Sequence, residues 1–286
     1  MVDVDESLVR RLLAAQHRDL ADLQVLAVGR GWDNAVFRLG DELAARLPIR
    51  QIGADLVAAE VRFLPEMADR LPVSIPAPVR SGTPALGYPW PWTIVPWFAG
   101  ELAFDGDCDL FAAARDLGAF LRAFGVPAPA DAPRNPWRGV PLAARDEITR
   151  ERIAHLDLRS ARGAAIAAWE RALAARPFAD HPVWVHGDLH PANIVVRDGK
   201  LMAIIDFGDL NAGDPAADLA VAWMWFDAAS RPAFRAACEV PDDDTWIRAW
   251  GNALAHAVAC LNGPPEDQRV LSIGRRTLSE VLAHPP

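Results

Sequence analysis

Asp188, Asn193 and Asp206 are the side chains whose types and spacing could do chemistry. They lie in the stretch VWVHGDLHPANIVVRDGKLMAIIDFGD, residues 183–209. Ile194–Val196 and Leu201–Ile205 are apolar, β-prone runs, and Asp198-Gly199 between them is a two-residue hairpin signal. Pairing about that turn sets Arg197 against Lys200, Val195 against Met202 and Asn193 against Ile204. It predicts that Asn193 and Asp206 share one end of the hairpin. An amide oxygen and a carboxylate so placed are hard ligands of the kind Mg takes together with phosphate oxygens. Asp188, upstream of Asn193 in a loop led by His186, could accept the proton of an attacking hydroxyl. A lone Asp-Phe-Gly is more often a turn; the ordered combination of both motifs carries the reading.

The elements that must position these groups follow from periodicity. Leu8, Leu12 and Leu13 mark a helix over 5–20, and 54–70 reads as another. Between them, short apolar runs at Val25–Val28, Ala35–Leu39 and Leu43–Leu47 read as strands, with Gly40-Asp41 as one turn. Tyr88–Val95 reads as a buried strand, and Pro96-Trp97-Phe98-Ala99-Gly100 as a connector. Helical patterns then dominate: 111–124, 144–155, 161–175, 214–228, 245–261 and 268–282. The stretch 183–207 is an irregular island of strands and loops among them. The fold class is α+β, with one unit over 1–97 and a mainly helical one over 98–286.

The start MVDVDESLVR is acidic where a secretory signal would be basic and then apolar, and no run of about 18 uncharged apolar residues suggests a membrane span. Cys108, Cys238 and Cys260 are odd in number and widely spaced, which fits reduced core thiols better than disulfides or zinc. These features predict a cytoplasmic protein. A formal net charge of −9 argues against nucleic acid as the main partner and is compatible with a cationic small molecule.

His186-x-Asp188-Leu189-x-x-x-Asn193 followed by Asp206-Phe207-Gly208 matches the catalytic-loop and metal-binding motifs of protein kinases. HGDLHPANI, IIDFGD and GDPAADLAVAW (213–223) resemble the aminoglycoside phosphotransferase family, which also includes macrolide, choline and homoserine kinases. The resemblance extends to GRGWDNAVFRLGDELAARLP in the amino half. It implies a protein-kinase-like fold, with a small antiparallel-sheet lobe for nucleotide and a larger helical lobe for catalysis and acceptor. It implies Asp188 as base, Asn193 and Asp206 as Mg ligands, and His186 and Asp218 as supports of the catalytic loop. Gly29 and Gly31 take the place of the glycine-rich loop, although the full pattern is absent. Arg46 stands where the phosphate-binding lysine would be, and Glu60 is its partner; Lys200, in the hairpin, is the only lysine. Pro96, Trp97 and Phe98 would read the base of ATP or GTP through backbone groups.

The short segment after Gly208 lacks an activation loop, so a small-molecule hydroxyl is expected as acceptor. An aminoglycoside is favoured, which predicts a cationic molecule, antibiotic resistance as the outcome and acidic contacts. The candidates are His190, Asp209, Asp227, Glu239 and Asp242, Asp243 and Asp244, although the last three also read as a helix start. A macrolide, or a choline-, homoserine- or sugar-type metabolite, is the alternative. A catalytically inactive pseudokinase is the reading from another class. Trp223, Trp225, Trp246 and Trp250 read as core or as pocket lining. A monomer or a dimer is compatible with all of this.

Overall fold

The computed structural model describes residues 2–156 and 161–286. The chain divides into two compact units, Met1–Glu101 with Met202–Gly208, and Leu102–Leu201 with Asp209–Pro286. The first takes in residues 98–101 and the short segment containing Asp206, beyond the expected 1–97.

The first unit opens with α1 (Glu6–Gln16), capped by the Asp5 carboxylate, which accepts from the Leu8 N–H at 2.7 Å. Strands β1 (Val25–Arg30), β2 (Asn34–Leu39), β3 (Leu43–Pro48), β4 (Arg80–Gly82) and β5 (Trp92–Pro96) form an antiparallel sheet in the order β1-β2-β3-β5-β4. Helix α2 (Gln51–Ala68) sits between β3 and β4 in the chain. Leu8, Leu12 and Leu13 of α1 pack with Phe37, Leu39, Ala45, Leu47, Trp92 and Ile94 of the sheet. The connection after β2 is tight because Gly40 takes φ 57°, a conformation that favours glycine. The strand expected over Tyr88–Val95 begins only at Trp92, because Pro89 and Pro91 have no N–H for a ladder. Tyr88 instead pairs with Ala85, and its hydroxyl donates to the Pro48 carbonyl at 2.8 Å.

In chain order the remaining elements are β6 (Glu101–Leu102), α3 (Leu110–Phe124), α4 (Asp146–His155), α5 (Arg162–Leu173), β7 (Val183–Val185), β8 (Ile194–Arg197), β9 (Lys200–Ile204), β10 (Asn211–Gly213), α6 (Ala216–Leu219), α7 (Val221–Met224), α8 (Arg231–Ala237), α9 (Asp243–Leu261) and α10 (Gln268–Ala283). Helix α9 is buried over most of its circumference, and α3 is capped by Asp109, whose side chain accepts from the N–H groups of Phe111 and Ala112. Strands β7 and β10 pair antiparallel. The turn between β8 and β9 has positive φ at both central residues, 52° at Asp198 and 73° at Gly199, as a type I′ turn requires.

The helix expected over 214–228 is instead two short helices, α6 and α7, and its last turn is absent. Arginine side chains supply the donors that a continuing helix would have supplied. Arg276 donates to the carbonyls of Met224 and Trp225, at 3.3 and 2.8 Å. Arg231 donates to those of Ala222 and Phe226, at 3.0 and 3.2 Å. The backbone can therefore leave the helix without orphaned acceptors. Trp223, Trp225, Trp246 and Trp250 are all buried; the rings of the first and third lie 4.7 Å apart, tilted by 43°, so these rings are core.

Candidate functional site

In the second unit, β7 delivers the chain into the loop 186–193. Asp218 lies in α6 and is 3% exposed. Its two carboxylate oxygens accept from the backbone N–H groups of His186, at 2.7 Å, and Gly187, at 3.0 Å. Burial pushes the Asp218 carboxyl up; the two backbone N–H donors pull against it. His186 is fully buried, and its Nδ1 accepts from the Asp188 N–H at 3.2 Å. Gly187 has φ 86°, and a Cβ there would lie 2.6 Å from the Asp209 carbonyl oxygen. Only glycine permits that approach.

The Asp188 side chain is 27% exposed. Its Oδ1 accepts from Arg138 Nη2 at 2.8 Å, and its Oδ2 lies 3.4 Å from His190 Nε2. Burial alone would raise its pKa. The hydrogen bond from His190 and the Arg138 guanidinium outweigh that effect and hold the carboxyl far below the usual range. Asn193, 7% exposed, directly precedes β8. Its Nδ2 donates to the Asp188 carbonyl at 2.8 Å, with Asp188 Oδ2 at 3.4 Å. The amide is thereby oriented, and its Oδ1 takes no hydrogen bond from a described protein group. That free hard oxygen fits a cation such as Mg.

Asp206, in the first unit, follows β9 and is exposed. It has φ 64°, a strained conformation for a non-glycine residue. Period-2 alternation in β3 sets Ala45 and Leu47 into the core with α1 and sends Arg46 to the other side. There Arg46 Nη1 pairs with the Glu60 Oε2 of α2; the two residues are 8% and 0% exposed. Burial pulls the Arg46 pKa down, but Glu60 and Asp206 overcome it and raise it. Among the described residues Asp206 has no ion pair within bonding reach, so a carboxylate free to take a cation lies near a fixed guanidinium.

Of the remaining first-unit candidates, Gly29 and Gly31 are exposed, and Pro96, Trp97 and Phe98 are half-buried. Gly29 lies in β1 beside a register shift, and the Gly31 N–H bonds the Asn34 carbonyl at 2.9 Å. The Trp97 N–H donates to the Glu42 carbonyl at 2.7 Å, and Pro96 has no N–H. Of the three connector residues, Phe98 is the one whose N–H no described backbone group takes.

The acidic acceptor candidates all have local partners. Asp209 accepts from Asn135 at 2.7 Å and lies 3.6 Å from Arg138; burial raises its pKa against that guanidinium. Asp227 bonds the N–H and hydroxyl of Ser230, at 2.8 and 2.6 Å. Glu239 pairs with Arg122, and Asp243 with Arg235. Asp242 caps α9 by accepting from Thr245 at 2.7 Å and pairs with Arg176, as does Asp244. His190 accepts from the Ala192 N–H at 3.2 Å, and its ring lies 5.6 Å from that of His256.

Three residues around Asp188 escaped the sequence reading. Arg138 and Asn135 lie in the irregular stretch after α3, where no periodicity marks them. His256 of α9 could have been noticed as a polar residue amid Ala255 and Ala257 on a buried helix.

The profile of the phosphotransferase enzyme family (APH) matches residues 24–257. No curated protein matches the chain. Among solved structures, the GDP complex of wild-type aminoglycoside 2'-phosphotransferase-IIIa is 19% identical with a TM-score of 0.71, covering 98% of this chain and 99% of that one. The streptomycin–ATP–APH(2")-IIa ternary complex is 18% identical with a TM-score of 0.62, covering 96% and 95%. The macrolide 2'-phosphotransferase MphH of Brachybacterium faecium is 21% identical with a TM-score of 0.60, covering 99% of each chain. At these identities the likeness is one of fold.

Proposed function

The chain belongs to the phosphotransferase enzyme family, and from that premise we propose that it moves the γ-phosphate of ATP or GTP onto a hydroxyl of a small molecule, with Asp188 as the base. The observation that carries this reading is the fixed Asp188 loop. Asp218 anchors its backbone from below, Arg138 and His190 orient the carboxylate, and Asn193 is locked to the Asp188 carbonyl.

Asp188 would accept the hydrogen bond of the acceptor hydroxyl and take its proton as the new bond forms. A carboxylate with so low a proton affinity is a weak base. It suffices because phosphoryl transfer passes through a loose transition state that asks mainly for positioning and charge neutralisation. Asn193 Oδ1 and the Asp206 carboxylate would hold Mg, which when bound neutralises charge on the phosphates. Arg46, fixed by Glu60, would grip phosphate oxygens; a guanidinium does so bidentately and stays charged. Gly29 and Gly31 would let the backbone approach the phosphates, and Phe98 would offer its N–H to the base. His186 and Asp218 act through the loop and are positioning residues.

The structural relatives include enzymes for aminoglycosides and for macrolides, two chemically different acceptors, which supports a small-molecule hydroxyl acceptor without choosing its kind. The carboxylates expected to greet a polycation are taken up by caps and ion pairs. The test is a transfer screen with purified protein, Mg and ATP or GTP against aminoglycosides, macrolides, amino alcohols and sugar acids. Release of nucleoside diphosphate matched by phosphorylated acceptor is expected for one class. Hydrolysis without any phosphorylated product would refute the reading.

A further inference from the structure

Arg145 ends the 3-10 turn Leu142–Arg145 that leads into α4, and it is 6% exposed. Its Nε has no hydrogen-bond partner, and among the described residues no carboxylate pairs with it. Burial, together with the charges of Arg138 and Arg152, pushes its pKa down to about 10. One helical turn on, Thr149 is 1% exposed with an unpartnered Oγ1. Both stretches pack against α9, where His256 is 8% exposed with an unpartnered Nε2. Burial keeps His256 neutral, with a pKa of about 3; the charges of Arg138, His190 and Arg145 work in the same direction, and Asp188 opposes them. The cluster thus meets the Asp188 site through Arg138, whose Nη2 reaches Asp188 at 2.8 Å.

A buried guanidinium without a counter-charge is costly, and water can satisfy its N–H groups but cannot neutralise it. A ligand anion can do both. The Arg145 charge, which no carboxylate among the described residues offsets, also repels the ammonium groups of a polycation. We propose that the phosphate acceptor carries an anionic oxygen group, carboxylate or phosphate ester, that binds Arg145 with Thr149 and His256 as neutral hydrogen-bond partners. This rests on the phosphoryl-transfer reading and gives its acceptor a charge.

The test uses the full chain. In Arg145→Met the lone buried cation is replaced by an apolar side chain, so the ligand-free protein should melt higher than wild type. Citrate at constant ionic strength should raise the melting temperature of wild type and leave R145M unmoved. Gluconate and glucosamine, similar in hydroxyls and opposite in charge, give the kinetic arm. Gluconate should be used at least tenfold better in kcat/KM, and R145M should erase that preference through KM. A lower melting temperature in R145M, equal citrate shifts in both proteins, or an equal or reversed preference would each overturn the inference. Since citrate protection needs no transfer, it separates the two readings. Asp188-dependent transfer without protection removes only the anion site; protection without any transfer removes the kinase reading.

Discussion

Arg46 and Glu60 show why a buried charge pair tolerates the loss of one partner poorly. Glu60 is fully buried, so Glu60→Ala strands Arg46 in a low-dielectric site. We expect it to cost about 3–5 kcal/mol in denaturant unfolding. A change within experimental error would show that Arg46 finds water instead. Arg138 makes a different demand. The hydrogen bond from His190 and the Arg138 charge together keep the Asp188 carboxylate ionised to low pH; Arg138→Met removes one of them and lets the Asp188 pKa rise. In the proposed transfer Asp188 must be ionised to act, so the acid limb of kcat/KM against pH should move to higher pH in R138M. His190 and His256 also face Asp188, and an unmoved limb would assign its ionisation to them. Asp188, Asn193 and Asp206 stood out in the sequence as candidates because the loop 186–193, the turn at Asp198-Gly199 and the Asp206-Phe207-Gly208 run are local patterns. Arg138, Arg145 and His256 did not, because they come from two stretches far from Asp188 in the chain, the connection before α4 and helix α9, with no fixed spacing to it.

The loop 186–193 depends on α6 as much as on its own residues. Asp218→Asn keeps the shape but replaces one acceptor oxygen with a donor facing a backbone N–H. Loss of that charged hydrogen bond should cost about 2 kcal/mol. Activity should fall more through kcat than through nucleotide KM, and a variant with wild-type melting and kcat would show that the loop holds itself. Gly187→Ala should be worse, given φ 86° and the Asp209 oxygen in the way of its Cβ; a soluble, fully active G187A would contradict that. Most elements were readable where periodicity was strong: α1, α2, α3, α9 and α10 begin and end within a few residues of their patterns. The failures have local causes. Two prolines shortened β5, and arginine side chains from α8 and α10 broke the 214–228 helix by serving its carbonyls. Helix α8, only seven residues long, and the three-residue β4 left too short a pattern to see.

Each unit has a core of its own, and the backbone passes between units at 101–102, 201–202 and 208–209. The boundary read from sequence, at 97–98, follows the connector after β5. Nothing in that reading would assign 202–208 to the first unit, since membership there is a matter of packing rather than of order. No helix among the described residues is long and apolar enough to cross a membrane. The residues proposed for transfer come from both units, Arg46, Glu60 and Asp206 from the first, and Asp188 and Asn193 from the second. They have one common consequence, the fate of the γ-phosphate. Following labelled γ-phosphate in single turnover with wild type and Asp188→Asn therefore bears on that proposal most directly. The label should pass to the acceptor in wild type, while D188N binds nucleotide with similar affinity and transfers at least a hundredfold more slowly, within the range general-base removal commonly costs, about 10²–10⁴-fold. Transfer by D188N at the wild-type rate would contradict it.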